Sequence, residues 1–229
     1  MIVVQRKPLA EIVRMIGPAE KILIVGCDGC TGIYQEGGQK QVEVMRDLLR
    51  MAIKLRQKRD LHIKTAVVLR QCDRQICATS LRPIMAANDL VLSMACGVGV
   101  QTIADVFEDH TVISAHNTLF MGMQDREQGN FYELCRGCGD CVLSETGGIC
   151  PVARCAKGIM NGPCGGCVDG KCEVPYEVRD EQGNIVETIE KDCAWYLVYE
   201  RLKKNGRLEL FAKYRPPRNR AISGFPRRL

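Results

Sequence analysis

The chain is poor in the residues that most enzymes use for acid–base work near neutral pH. Its 229 residues include only three histidines, His62, His110 and His116. No Ser-His-Asp set, Walker phosphate loop or HExxH motif can be traced, which excludes the commonest hydrolytic and nucleotide-cleaving machinery. Aromatics make up 5% of the residues, too few for a base-stacking platform, and no nucleic-acid module is visible. No apolar run approaches the ~20 residues of a membrane span. The opening "MIVVQRKPLAEIVRMIG" is interrupted by Arg6, Lys7, Glu11 and Arg14, so it lacks the apolar core of a signal peptide. These absences predict a cytoplasmic protein with no membrane insertion and no nucleic-acid partner. Stable disulfides are rare in such a reducing setting.

Cysteine is what the chain has in excess. There are 14, five within residues 1–134 and nine within 135–229. This shift predicts a boundary near residue 130: an α/β domain over 1–130, a small cysteine-rich domain over 131–200, and a basic tail over 201–229. The tail carries ten Lys or Arg against one Glu, whereas the rest of the chain holds 22 basic against 26 acidic residues. Such a tail reads either as solvated or as a strap that docks on a partner.

In the first half, "AEKILIVGC" reads as a buried strand. Val42, Met45, Leu48, Leu49, Ala52 and Ile53 then recur at helical spacing with a charged opposite face. A second strand is expected over 63–69, followed by a helix through "DRQICATSLRPIMAA" that reaches or crosses Pro83. "DLVLSMACG" supplies a third strand, "VGVQTIADVF" a third helix, and "HTVISAHNTLF" opens on a fourth strand. Alternating strands and helices indicate a parallel, Rossmann-like sheet. Cys27 and Cys30 follow the first strand, Cys72 the second and Cys96 the third. The carboxyl ends of parallel strands share one edge, where such folds bind ligands. A four-thiolate site of Cys27, Cys30, Cys72 and Cys96 is the functional reading, filled by zinc or a cluster. The bland reading is that free cysteines pack as small apolar side chains. Cys77 can replace Cys72 or be a buried thiol, and His116 is a weak alternative ligand. "GCDGCTG" departs from GxGxxG, so a nucleotide site ranks below metal.

In the second half, "CRGCGDC" places Cys135, Cys138 and Cys141 at C-x2-C-x2-C spacing, which opens bacterial ferredoxin motifs. Cys150 is followed by Pro151, as in such motifs, but after a longer gap. Cys155, Cys164, Cys167, Cys172 and Cys193 complete the nine, and "NGPCGGCVDGKC" wraps three of them in a glycine-rich turn. Spacing alone does not pair them. [4Fe–4S] clusters lead, with zinc as the competitor in place of one. "DCAWYLVYERLKKNGRLELF" predicts a helix over 194–204, stopped at Asn205-Gly206, with Trp195, Tyr196 and Tyr199 in the core.

"GGICPVARCAKGIMNGPCGGCVDGKCEV" and "DCAWYLVYERL", with "VGCDGC" and "MACGVGVQ" upstream, resemble the methylenetetrahydrofolate reductase C-terminal-domain family, over residues 20–217. That family includes the small iron–sulfur subunit of the enzyme in acetogens and related anaerobes. The resemblance implies an accessory electron-transfer subunit in one-carbon metabolism, the Wood–Ljungdahl pathway of acetogenesis. Its implied partners are a flavin-containing methylenetetrahydrofolate reductase catalytic subunit and, as electron donor, ferredoxin or a larger redox complex. The implied ligands are Cys135, Cys138, Cys141, Cys150, Cys155, Cys164, Cys172 and Cys193, enough for two clusters, with Cys167 left over. The family's usual acidic residue is replaced near His116. Its discussion as zinc-binding keeps zinc open at the first-half site. Two other readings stand beside this one. One is a zinc-stabilised assembly module. The other is a free-standing enzyme with a sheet-edge site at Cys27, Cys30 and Cys96, against which the missing acid–base set argues.

Overall fold

The computed structural model describes residues 1–85, 90–180 and 182–219. The chain divides into two compact units, Met1–Phe131 and Tyr132–Leu229.

The first unit opens with β1 (Ile2–Arg6) and α1 (Leu9–Ile16), which the sequence reading leaves unassigned. Then follow β2 (Lys21–Cys27), the short α2 (Cys30–Ile33), α3 (Gln39–Gln57), β3 (His62–Val68), α4 (Arg74–Met85), β4 (Leu90–Met94), α5 (Gly97–Val106) and β5 (Thr111–Ser114). Strands β2 to β5 form a parallel four-stranded sheet in the order β3-β2-β4-β5. Alternation along the central strands serves two cores. Ile22 and Ile24 of β2 and Leu90 and Leu92 of β4 join Ile12 of α1 and Leu49 of α3. Leu23, Val25 and Val91 face the other way, onto Leu81 of α4 and Ile103 of α5. Both faces of the parallel sheet are therefore covered, which is why its strands read as continuous apolar runs. Each such side chain contributes about 2 kcal/mol through burial.

Two details differ from the expected pattern. Helix α4 crosses Pro83 and ends at Met85 within the described residues; Ala86 and Ala87, the expected continuation, lie outside them. "HTVISAHNTLF" divides into two strands. β5 ends at Ser114, and β6 (His116–Asp125) leaves the parallel sheet to pair antiparallel with β1. Among the described residues no helix is long and apolar enough to cross a membrane.

The chain passes into the second unit along β7 (Asn130–Cys135). That unit holds α6 (Pro151–Arg154), two small hairpins, β8 (Cys167–Val168) with β9 (Lys171–Cys172) and β10 (Tyr176–Arg179) with β11 (Ile185–Ile189), then α7 (Ala194–Lys204) and a 3-10 turn at Leu208–Leu210. Its core is small: Ile149, Cys193, Trp195, Val198 and Leu202. Trp195 donates to the Ile159 carbonyl at 2.9 Å, and Phe211 meets the rings of Trp195 and Tyr199 edge-on. Tyr196 is 43% exposed rather than in the core. It lies about 100° around the helix from Trp195, off the buried stripe.

The described part of the basic tail lies on its own unit. Arg215 is 4% exposed and stacks over Trp195 at 5.4 Å. Its guanidinium donates to the carbonyls of Glu145 (3.0 Å) and Leu210 (3.1 Å). Its Nε lies 3.2 Å from the Glu145 carboxylate, an ion pair whose angle falls short of a hydrogen bond. Lys213 also pairs with Glu145, and these two cations, Lys213 foremost, hold that carboxyl below its ordinary range. Arg215 also exchanges backbone hydrogen bonds with the Asn161 amide at 2.7 and 2.8 Å. Residues 220–229 of the expected strap lie outside the described residues.

Two predictions follow from these buried charges. Arg215→Ala should destabilise the second unit by roughly 3 kcal/mol, because it deprives the Glu145 and Leu210 carbonyls of their donor and leaves the Glu145 carboxylate with Lys213 alone. Arg215→Lys should recover little, lacking the planar fork. Denaturant titration followed by fluorescence of Trp195, the one tryptophan in the chain, reads this unit; an unchanged midpoint would contradict the assignment. In the first unit, His116 is 3% exposed and burial lowers its pKa from 6.5 to about 4. The unfolded chain therefore takes up a proton that the folded one refuses. Stability is complete above pH 6.5 and falls by roughly 3 kcal/mol toward pH 4. His116→Leu should flatten that slope in hydrogen exchange of the β4 and β6 amides; an identical pH dependence would refute it.

Candidate functional site

The first cluster of predicted ligands lies at the carboxyl edge of the parallel sheet. Cys27 is the last residue of β2, Cys30 the first of α2, and Cys96 caps α5 two residues past β4. Cys72 follows β3 by four residues. The edge is tightly built. Cys27 N–H donates to the Gly37 carbonyl at 2.8 Å, and the Thr31 hydroxyl donates to the Cys27 carbonyl at 3.0 Å. A Cβ on Gly26 would stand 2.6 Å from the Gly37 carbonyl, so the penultimate residue of β2 must be glycine for the next loop to close over it.

Gln71, which the sequence reading passes over, is fully buried at this edge. Its amide donates to the carbonyls of Val25 (2.9 Å) and Gly26 (2.8 Å), and its oxygen accepts from Ser93 at 2.7 Å. A glutamine before a loop cysteine carries no local signal of this role. Its partners lie 45 residues upstream and 22 downstream.

Electrostatics place the thiols near one another. Partial desolvation raises the Cys72 pKa, and the neighbouring Cys27 and Cys96 thiols raise it further. Cys77 is fully buried, donates to the Gln71 carbonyl at 3.1 Å, and is pushed up to about 11, first by burial and then by Cys27. It is a buried thiol, the second of the two roles the sequence allows. Tyr34 rises to about 12 through burial, reinforced by Glu36, Cys30 and Cys96, while its hydroxyl accepts from Val4 N–H at 2.7 Å.

The histidines divide. His62 is exposed. His110 is half-buried: its ring lies 2.9 Å from the Met85 carbonyl and against Phe107. His116 has both ring nitrogens buried without a well-formed hydrogen bond, and its Nε2 is 3.9 Å from Glu36. With its pKa near 4 the ring is neutral at pH 7, so this contact is not an ion pair there.

The second cluster occupies the second unit. Cys135 ends β7, and its sulfur accepts from Gly137 N–H at 3.4 Å. Gly137 and Gly139 sit at φ 58° and 83°, a left-handed backbone that carries Cys138 and Cys141 around a tight loop. Arg218 donates to the Cys138 carbonyl at 3.2 Å. Cys150 and Cys155 cap the two ends of α6. Cys167 and Cys172 face each other across the β8–β9 hairpin. Cys193 N–H donates to the Gly170 carbonyl in that hairpin's turn at 2.8 Å. The Cys167 thiol is raised by burial and shares a hydrogen bond with Cys193. Cys164 lies close enough to add to that rise, and its own thiol is lowered, first by the Gly166 amide and then by Lys157, 3.8 Å away.

The structure thus gathers Cys164, Cys167, Cys172 and Cys193 at one hairpin, with Cys155 and Cys167 packed on the same small core. Cys167, left over by the family pattern, stands in the middle of the group. All fourteen cysteines are free thiols. Among the described residues no three His, Cys, Asp or Glu side chains are closed to metal-binding distance.

No curated protein matches the chain. A solved structure, an extracellular ligand-binding receptor from Verminephrobacter eiseniae, is similar at 13% identity over 46% of this chain, with a TM-score of 0.34. The matched part spans 28% of that receptor's length. The family match begins in β5, so the upstream "VGCDGC" and "MACGVGVQ" fall outside it. It takes in all nine cysteines from Cys135 to Cys193. Residues 113–221 match the family described as methylene-tetrahydrofolate reductase C terminal, and this segment belongs to the family that the cysteine string resembles.

Proposed function

We propose that the chain is the accessory electron-transfer subunit of a methylenetetrahydrofolate reductase, working with a separate flavin-carrying catalytic subunit. The observation that carries this reading is the coincidence of the family match with the nine-cysteine segment. Ferredoxin or a larger redox complex is the proposed donor.

The donor set suits iron–sulfur clusters. Cys135, Cys138, Cys141, Cys150, Cys155, Cys164, Cys172 and Cys193 would hold two of them. The eight thiols lie in a segment whose left-handed glycines permit tight wrapping. A bound cluster supplies one-electron transfer. The chain's own groups prepare the ligands. Gly166 N–H and Lys157 favour the Cys164 thiolate, and Gly137 N–H points at the Cys135 sulfur. Amide donors to sulfur are among the features that set cluster potential. A third centre, zinc or a cluster, is proposed for Cys27, Cys30, Cys72 and Cys96.

The second reading is a zinc-stabilised assembly module. Cys164 and Cys167 form a C-x2-C pair leading into a short hairpin that returns Cys172, an arrangement that zinc also uses.

Protein purified without oxygen should contain about eight iron and eight acid-labile sulfide per chain, or about twelve of each if a cluster fills the sheet edge. Cys135→Ser and Cys164→Ser should each remove part of the iron and visible absorbance and stop donor-dependent turnover of the complex. Full iron and activity in both variants would refute the electron-transfer role. Zinc without sulfide would establish the structural module instead.

A further inference from the structure

The β10–β11 hairpin has the build of an arm without a seat. All five residues of β11 are exposed, and Tyr176, Ile185, Val186 and Ile189 are between 45% and 64% exposed. Tyr176 pairs with Ile189 and Val178 with Glu187. Cross-strand pairing therefore puts Tyr176, Val178 and Ile189 on one face, with Glu187 among them; beyond a register shift at Val178, Ile185 pairs with Arg179 instead. A two-stranded hairpin is marginal in water by itself, and a bare apolar face of this kind marks an interaction surface.

The arm is nevertheless firmly shaped. At its tip the Asp180 carboxylate accepts from the N–H groups of Gln182 (2.9 Å) and Asn184 (2.8 Å) and from the Asn184 side chain (3.0 Å). At its base Lys157 pairs with Glu173, and Lys171 pairs with Asp192 at 2.7 Å. Local polar contacts fix both ends, while the apolar side chains between them have nothing to cover them among the described residues.

Charge selects the kind of partner. Residues 173–192 carry seven acidic against two basic residues, in a chain of net charge +5. An acidic arm is repelled by nucleic acid and by an anionic lipid surface. A two-fold pairing of this face with a second copy would set Glu187 against Glu187 at its centre. Three basic residues of the described tail are already engaged, Lys213 and Arg215 by Glu145 and Arg218 by the Cys138 carbonyl.

We propose that the β10–β11 hairpin is a docking arm whose apolar face seats in an apolar groove, rimmed by Lys and Arg, on the flavin-carrying catalytic subunit. The proposal rests on the electron-transfer reading above and names the surface through which that assembly forms.

The test is co-expression of the full chain with a flavin-carrying methylenetetrahydrofolate reductase catalytic subunit, followed by light scattering and affinity measurement at two salt concentrations. The wild-type pair should form, with an affinity that weakens as salt rises. Tyr176→Lys/Ile189→Lys and Glu187→Lys should each weaken it at least tenfold, with iron and sulfide content unchanged. Wild-type affinity in both variants, or salt-independent affinity of the native pair, would overturn the proposal. So would self-association of the chain alone that these variants abolish, since the seat would then be a second copy. If the native chain forms no pair, the partner named in the electron-transfer reading fails, and the arm's seat fails with it.

Discussion

Gln71 is the constraint on which the carboxyl edge of the first unit depends. The central strand β2 ends between two neighbours, and its last carbonyls must be satisfied where the next loops begin. Gln71 meets that need with one side chain, giving both amide hydrogens to β2 and taking the Ser93 hydroxyl of β4. Its own carbonyl accepts the Cys77 thiol. Because it is fully buried, none of these contacts can be replaced by water, and each lost partner would cost about 1–3 kcal/mol. The side chain therefore locks the ends of β2 and β4 to the loop after β3. Those are the three places from which Cys27, Cys96 and Cys72 emerge.

The second unit solves a different problem. Its strands are two to five residues long apart from β7, and its core holds one large residue, Trp195. Burial alone is thin. Order comes instead from the tail, where Arg215 covers the indole, anchors on Glu145 and closes several carbonyls at once. A guanidinium suits this place because its planar fork serves many acceptors with one charge. The price is that a single side chain spans elements that otherwise share little packing.

The parallel sheet was readable because each strand is buried on both faces and each helix carries one apolar stripe. Strand and helix starts between β2 and β5 fall close to where periodicity puts them. What periodicity cannot show is partnership across distance. β1 is a five-residue strand whose partner, β6, begins 110 residues later. β6 itself follows β5 after one residue, so the two read as one run. Ala115 and His116 are where the chain turns from one sheet to the other. The cysteine spacing was legible in the sequence, and the family match covers that segment. Two features were not. Cys167 looks dispensable in the pattern yet faces Cys172 and shares a hydrogen bond with Cys193. Gln71 looks like an ordinary loop residue because all its meaning lies in its tertiary contacts.

The two cysteine groups also differ in what surrounds them, and the difference bears on how each could hold a positive ion. Thiols bind metal as thiolates, so whatever raises a thiol pKa must be overcome by the metal's own charge. At the sheet edge, thiols next to Cys72 and Cys77 add to the rise that burial gives them. Cys72 is raised by partial burial and by Cys27 and Cys96, against the opposing pull of its own backbone amide and then of Arg70. His116 is kept neutral at pH 7 by burial. In the second unit, the Gly166 amide and the Lys157 ammonium already lower Cys164 before any metal is present. Cys167, raised by its own burial and by Cys193, sits beside it. A lowered and a raised thiol stand at one hairpin, so a metal ion bound first at Cys164 would bring the charge that favours ionisation of Cys167.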